Sequence, residues 1–234
     1  MATCHSMGAN PFDVLDSFDE VAALKEQCDY VIVLYHGGKE YYRYPSPMLQ
    51  RYCRKFIDKG ANLVICQHNH CVGSREDYNG GSIIYGQGNF IFNSEFYTKY
   101  KEFVKDSLLI RVEATKDSFV ICELPIRMSD NGTRLATDAE AAEALTGYNK
   151  RSEEIKDAHF VISNYKAFAD THVKRYLREF LGRSFIIRAI NALFGRKLMQ
   201  LILGPTSYLA IQTFLECEAH HELFLGGIKN TNKN

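Results

Sequence analysis

The chain has no surplus of charge, with 28 Lys and Arg against 28 Asp and Glu in 234 residues. A protein that grips nucleic acid needs a basic excess or stripe, so bulk nucleic-acid binding is excluded as its main work. No apolar run reaches the roughly 18 residues that a membrane-spanning helix requires. The opening residues Met1-Ala2-Thr3-Cys4-His5-Ser6-Met7-Gly8 lack a basic n-region and an apolar h-region, so no signal peptide is expected. The seven cysteines stand singly, without a C-x-x-C pair. Their odd count and irregular spacing exclude a disulfide framework and point to a reducing, cytoplasmic compartment, with export of a longer relative left open. Internal repeats and low-complexity segments are also missing. The length suits one large domain, or one domain with an extension, and suffices to bury a core.

What is present begins as an α/β pattern. Asn10-Pro11 reads as a helix start, with Asn10 as N-cap and Val14, Leu15, Phe18, Val21 and Ala22 on one apolar face. Residues 30–35 (Tyr-Val-Ile-Val-Leu-Tyr) form a buried strand. Ser46-Pro47 opens a second helix, with an apolar face of Met48, Leu49, Tyr52, Cys53, Phe56 and Ile57, and Gly60 closes it. A strand over 62–66 completes a parallel βαβ unit. Asn79-Gly80-Gly81 marks a turn. Residues 82–85 and 89–92 read as short strands, 93–105 as a loop, and 108–112 with 119–124 as a hairpin; together they suit one sheet of a layered sandwich.

From about Thr137 onward the composition is helical, over 140–145 and 151–181, with Gly182 and Gly195 as breaks. The expected organisation is a domain over 1–135, a helical extension over 136–228 and a polar, disordered tail over 229–234. Residues 174–197 are basic, with apolar side chains such as Phe185, Ile186, Leu193 and Leu198 among and just after them. Such a helix either caps the sheet with its basic face in solvent or lies on an anionic surface.

The chemistry concentrates at two strand ends. His36-Gly37-Gly38 follows the first strand. Cys66-Gln67-His68-Asn69-His70 follows the second. Imidazoles spaced i, i+2 at a strand end point the same way, because the side-chain period there is two. Three histidines at the carboxyl ends of two parallel strands are what a metal site on an α/β scaffold looks like. Cys66 and Cys71 flank them, but at a spacing that fits no standard zinc module.

These residues carry a resemblance. His36, Gly38, Glu40 and Tyr41, then Gln50, then Gly60-Ala61-Asn62-Leu63-Val64-Ile65-Cys66-Gln67-His68-Asn69-His70, then Tyr85-Gly86-Gln87-Gly88-Asn89-Phe90 resemble, in order, the second half of the CapA family of bacterial capsule and poly-γ-glutamate synthesis proteins. That family is similar to calcineurin-like metallophosphoesterases, and the likeness covers roughly residues 10 to 127. Asn62 stands where the family has Asp, and Cys66 where it has Gly. The early Gly-Asp and Gly-Asn-x-His blocks have no counterpart; Gly88-Asn89 belongs to the late block. Asp157-Ala158-His159 and Asp170-Thr171-His172 match an Asp-x-His pattern only if the fold is permuted.

The resemblance implies the second half of an α-β-β-α metallophosphatase-like sandwich with a helical extension. It implies divalent metal of the Mn, Zn or Fe class, with His36 and His68 on one ion and His70 on the other, in an incomplete site. Glu40 would orient a ligand or face substrate, and Arg43 would hold a phosphate or carboxylate. Asn89 would shape its turn or touch substrate, while Tyr85 belongs to the core. The expected function is a CapA-like polymer-biosynthesis protein, truncated, with a polysaccharide-synthesis component or an anionic polymer as partner. The alternative is a non-catalytic relative that binds a partner, polymer or membrane surface through its basic helical region.

Overall fold

In the computed structural model the described residues are 12–14, 16–91, 102–129, 132–180, 189–190, 193 and 205–216. They fall in two compact units, Met1–Ala169 and Asp170–Asn234.

The first unit is built on the expected βαβ motif. Strand β1 (Ile32–His36) runs parallel to β2 (Leu63–Gln67), with Ile32 opposite Leu63 and His36 opposite Gln67. Helix α1 (Ser17–Lys25) precedes them and α2 (Pro47–Asp58) crosses between them. The Ser46 hydroxyl accepts from the Leu49 N–H at 3.2 Å, and Pro47 sits in the first turn, where no donor is lost. Gly60, at φ +107°, stops α2 with its N–H on the Ile57 carbonyl. Asn62 then clamps the two strands together. Its side-chain oxygen accepts from Val31 N–H at 3.0 Å, and its own N–H donates to the Val31 carbonyl at 2.8 Å.

Strand β4 (Gly81–Ile84) adds in parallel to β2, and β3 (Arg75–Tyr78) pairs antiparallel with β4, giving the order β1-β2-β4-β3. The turn between β3 and β4 is Asn79-Gly80, both at positive φ, as a tight two-residue hairpin requires. A second sheet holds β5 (Asp106–Ala114), β6 (Phe119–Ser129) and β7 (Gly132–Leu135), all antiparallel. The strands expected to share one sheet thus divide between two.

Alternation along the strands sets the layers. Val33, Tyr35, Val64, Cys66, Ile83 and Tyr85 face the helices, where they pack on Phe18, Val21, Cys53, Phe56 and Ile57. Leu63, Ile65 and Ile84 face the second sheet, against Ile110, Val112, Phe119 and Ile121. A parallel strand covered on both faces must be apolar throughout, which is why β2 reads Leu-Val-Ile-Cys.

Helix α3 (Asp138–Glu154) starts in a capping box between Thr137 and Glu140. It continues through Gly147 and so joins the stretch 140–145 to the start of the stretch 151–181. The Arg151 side chain lies over that glycine, and a Cβ there would meet its Nη1 at 3.0 Å. Tyr148 ties α3 to β6 by donating to Glu123 at 2.8 Å. Helix α4 (Ala158–Phe180) follows, and its first turns pack on the loop after β1 through Tyr42–Phe168 and Tyr44–Phe160 ring contacts.

Three expectations are corrected. Val14 and Met48 are exposed rather than buried: helix α1 begins only at Ser17, and Met48 sits on the solvent side of the first turn of α2. Residues 89–91 are not a strand, because Gly86 and Gly88 at positive φ turn the backbone away from the sheet after β4. Asn10-Pro11, most of the 93–105 loop, Gly182, Gly195 and the 229–234 tail lie outside the described residues. So do the side chains of nearly all of the basic 174–197 stretch.

The second unit contains the end of α4 and helix α5 (Pro205–Glu216), whose first residue is a proline at a position that needs no donor. No described helix is long and apolar enough to cross a membrane.

Phe56 is fully buried, with its ring 4.7 Å from Phe18 and 6.0 Å from Tyr35. Phe56→Ala should cost about 3–5 kcal/mol by transfer and cavity terms. Denaturant unfolding is expected to show a lower midpoint with an unchanged slope. A loss under about 1 kcal/mol would mean that this core is not the one holding the unit together.

Candidate functional site

The three histidines meet at one end of the first sheet. His36 is the last residue of β1. β2 ends at Gln67, so His68 and His70 lie just beyond it. The His36 and His68 ring centroids are 5.0 Å apart, and those of His68 and His70 are 6.2 Å apart. Strand alternation, the expected reason for their common direction, is not the cause. His68 has φ +85° and His70 φ +56°, both in the left-handed region that side chains avoid. Tyr41, at φ +61°, completes the cluster, its ring 6.1 Å from that of His70. Three of the four described non-glycine residues at positive φ are therefore here; the fourth, Asn79, makes the hairpin turn. Backbone strain of this kind costs of order 1–3 kcal/mol per residue and persists only where its surroundings over-determine it.

The surroundings do so through Asn69, which sequence reasoning passed over. Asn69 is buried between the two histidines. Its amide donates to the Tyr85 carbonyl at 3.0 Å, and its own carbonyl accepts from Tyr41 N–H at 2.8 Å. Its side-chain oxygen is buried without a partner. After His70 the chain runs back beside the segment that follows β4. Gly73 N–H donates to Gly86 O, Tyr85 N–H donates to Ser74 O, and Val72 bridges Gln87. Arg151, reaching in from α3, donates to the carbonyls of Gly73 at 2.7 Å and Val72 at 3.1 Å. Burial first, and the nearby Arg43 charge second, bring its guanidinium down to about 10, so it stays charged at neutral pH. Nothing in the local sequence marks Arg151 as part of this site, since its partners are backbone atoms 78 and 79 residues away.

The remaining anticipated residues divide. Asn89 is beside His70: its Oδ1 lies 2.8 Å from His70 Nδ1, and its Nδ2 donates to the His70 carbonyl at 3.3 Å. Glu40 is exposed on the loop after β1, close enough for its charge to act on His68. Arg43 is neither a solvated loop residue nor aimed at the histidines by any contact seen here. It is half-buried, donates from Nε to Val72 O at 3.2 Å and lies 5.2 Å over the Phe103 ring. Tyr85 is core, its hydroxyl donating to Glu76 at 2.6 Å. Asp157 sits at the start of α4 and accepts from His159 N–H at 2.8 Å, while Asp170 and His172 lie further along the same helix.

Burial, followed by the neighbouring His36, lowers the His68 pKa below its ordinary value, while Glu40 opposes this. His68 is therefore neutral at pH 7, the form a metal ligand needs. Three imidazoles are the right kind of donor for a divalent transition ion. Their number and spacing fall short: among the described residues no three His, Cys, Asp or Glu side chains are grouped closely enough to hold a metal. The site fits a metal in donor chemistry and not as a closed ligand set.

Gly86 is the tightest point of this framework. At φ +155° it lies so close to Asn69 that a Cβ would overlap the Asn69 amide. Gly86→Ala should destabilise the unit by about 1–3 kcal/mol through overpacking, seen as a lower thermal midpoint. An unchanged midpoint would mean that Asn69 is not fixed by this contact.

Comparison with known proteins places this arrangement. Residues 6–94 match the sequence model of the family described as bacterial capsule synthesis protein PGA_cap. The capsule biosynthesis protein CapA of Bacillus anthracis is 28% identical over 136 residues, which is 57% of this chain and 32% of that protein. The PGA biosynthesis protein CapA of Bacillus subtilis (strain 168) is 30% identical over 110 residues, 47% of this chain and 28% of that protein. The chain thus spans about a third of the length of these curated relatives. The matched span runs from before α1 to beyond β4 and contains His36, Glu40, Arg43, His68, His70 and Asn89. Over residues 6–94 this chain is therefore similar to bacterial capsule synthesis proteins of the CapA type, with partial coverage of their length.

Proposed function

We propose that the chain serves in the synthesis of a capsular or poly-γ-glutamate-type polymer, as a relative of the metal-dependent phosphoesterases, with His36, His68 and His70 as its metal-binding residues. The observation that carries this is the meeting of the three rings, with centroids 5.0 and 6.2 Å apart, on strained loops at the ends of two parallel strands within the matched family span.

The residues present have definable tasks. His68, kept neutral by burial, offers a lone pair, with His36 alongside. Glu40 supplies negative charge at the rim, which favours a cation. A bound divalent ion of the Mn, Zn or Fe class would polarise a phosphoryl oxygen and acidify a bound water. The carboxylates that bridge two ions in such hydrolases have no counterpart among the clustered side chains described.

Two outcomes are expected. The purified 234-residue chain should bind zinc or manganese weakly by calorimetry, and His68→Ala should abolish the binding. It should show negligible turnover of an aryl phosphate, even with manganese added. Identical titrations for wild type and His68→Ala would remove His68 from the site. Turnover that is lost in His70→Ala would show that the chain completes a hydrolytic site unaided, and would overturn the proposal that it lacks ligands.

A further inference from the structure

The pairing of Asn89 with His70 has a chemical consequence. The Asn89 amide makes two contacts to the same residue: Oδ1 to the ring Nδ1 at 2.8 Å, and Nδ2 to the backbone carbonyl at 3.3 Å. Exchanging the amide atoms would set Oδ1 against a carbonyl oxygen, two acceptors facing each other. The backbone carbonyl therefore fixes which end of the amide meets the ring. An amide oxygen can only accept, so Nδ1 must carry a proton. In the neutral ring the lone pair then resides on Nε2.

Asn89 is itself held. It is buried, and its carbonyl accepts from the Ser107 hydroxyl of β5 at 2.6 Å. Gly88 before it has φ +84°, and a Cβ there would meet Ser107 Oγ at 2.7 Å and Asp106 O at 2.9 Å. Leu108 N–H donates to Gln87 O at 2.7 Å. The second sheet thus props the 87–89 segment against the histidine loop, and the ring orientation is transmitted from β5.

We infer that Asn89 is a positioning residue that locks His70 in the Nδ1–H tautomer and so places the lone pair of the neutral ring on Nε2. This deepens the role of His70 proposed above, but it makes no use of a bound ion. It also gives a reason for the Gly-Asn pair: the glycine permits the close approach to Ser107 and Asp106, and the asparagine supplies a polar group that reads both the ring and the backbone of His70. A backbone-shaping role alone would require only the second contact.

The test is long-range nitrogen–proton NMR of the imidazole rings in the full chain at pH 8, with His70 assigned by its loss in His70→Gln. Wild type should show His70 as the Nδ1–H tautomer, the minority form of an unconstrained histidine. Asn89→Ala should shift His70 to the Nε2–H form, while Asn89→Asp, which keeps an acceptor at the same place, should leave Nδ1 protonated. A wild-type ring in the Nε2–H form overturns the inference, whether or not the alanine variant folds. So does an Asn89→Ala protein that keeps the wild-type tautomer. Zinc titration of the wild-type sample separates the two claims. Absence of binding with His70 in the Nδ1–H form rejects the metal site and retains the tautomer; binding with His70 in the Nε2–H form does the reverse.

Discussion

The inward-turned side chain of Asn69 is the constraint on which the histidine edge depends. Asn69 is buried and bonded to the Tyr85 carbonyl, and the residues on either side of it, His68 and His70, stand in left-handed backbone. The cost, of order 1–3 kcal/mol for each residue, is offset by a set of ordinary hydrogen bonds each contributing about 1 kcal/mol. These are Tyr41 N–H to Asn69 O, Gly73 N–H to Gly86 O and Tyr85 N–H to Ser74 O. The same bonds bring the loop after β1, the loop after β2 and the segment after β4 to one place.

Two further layers stiffen that place. On one side α3 sends Arg151 into the turn at Val72 and Gly73, where its charge is satisfied by carbonyls rather than by a carboxylate. Arg43 shares the Val72 carbonyl, so the loop after β1 and helix α3 grip one peptide from different directions. On the other side β5 holds the Gly88-Asn89 turn. The site is thus held by helix α3 and by strand β5 together, and the sandwich serves to hold strained loops still.

Much of this was legible in the sequence, for identifiable reasons. The βαβ unit follows from two apolar runs and a Ser-Pro start with a Gly stop, signals that depend only on local chemistry. The histidines were legible because of where they sit relative to strand ends. The reason for their convergence was not, since outside glycine positive φ is only weakly marked by residue type, as at His68 and His70. Asn69 carries no signal of its own in the sequence and is the pivot. Arg151 was invisible because its targets are backbone carbonyls far along the chain. β3 was missed because Arg75-Glu76-Asp77-Tyr78 has no apolar alternation; its charged side chains pair instead with Arg54, Ser82 and Glu123. The strand expected after Gly88 failed because two glycines at positive φ outweigh the β-propensity of Phe90 and Ile91.

The central claim is that these three histidines face a common cation position. Crystals of the chain grown with zinc, measured on both sides of the zinc absorption edge, address it most directly. The account expects an anomalous peak about 2.0–2.1 Å from a ring nitrogen of His36 and of His68, with His70 turned toward the same region. A difference map with no peak at the ends of β1 and β2, or with zinc only on His159 or His172 of α4, would contradict it.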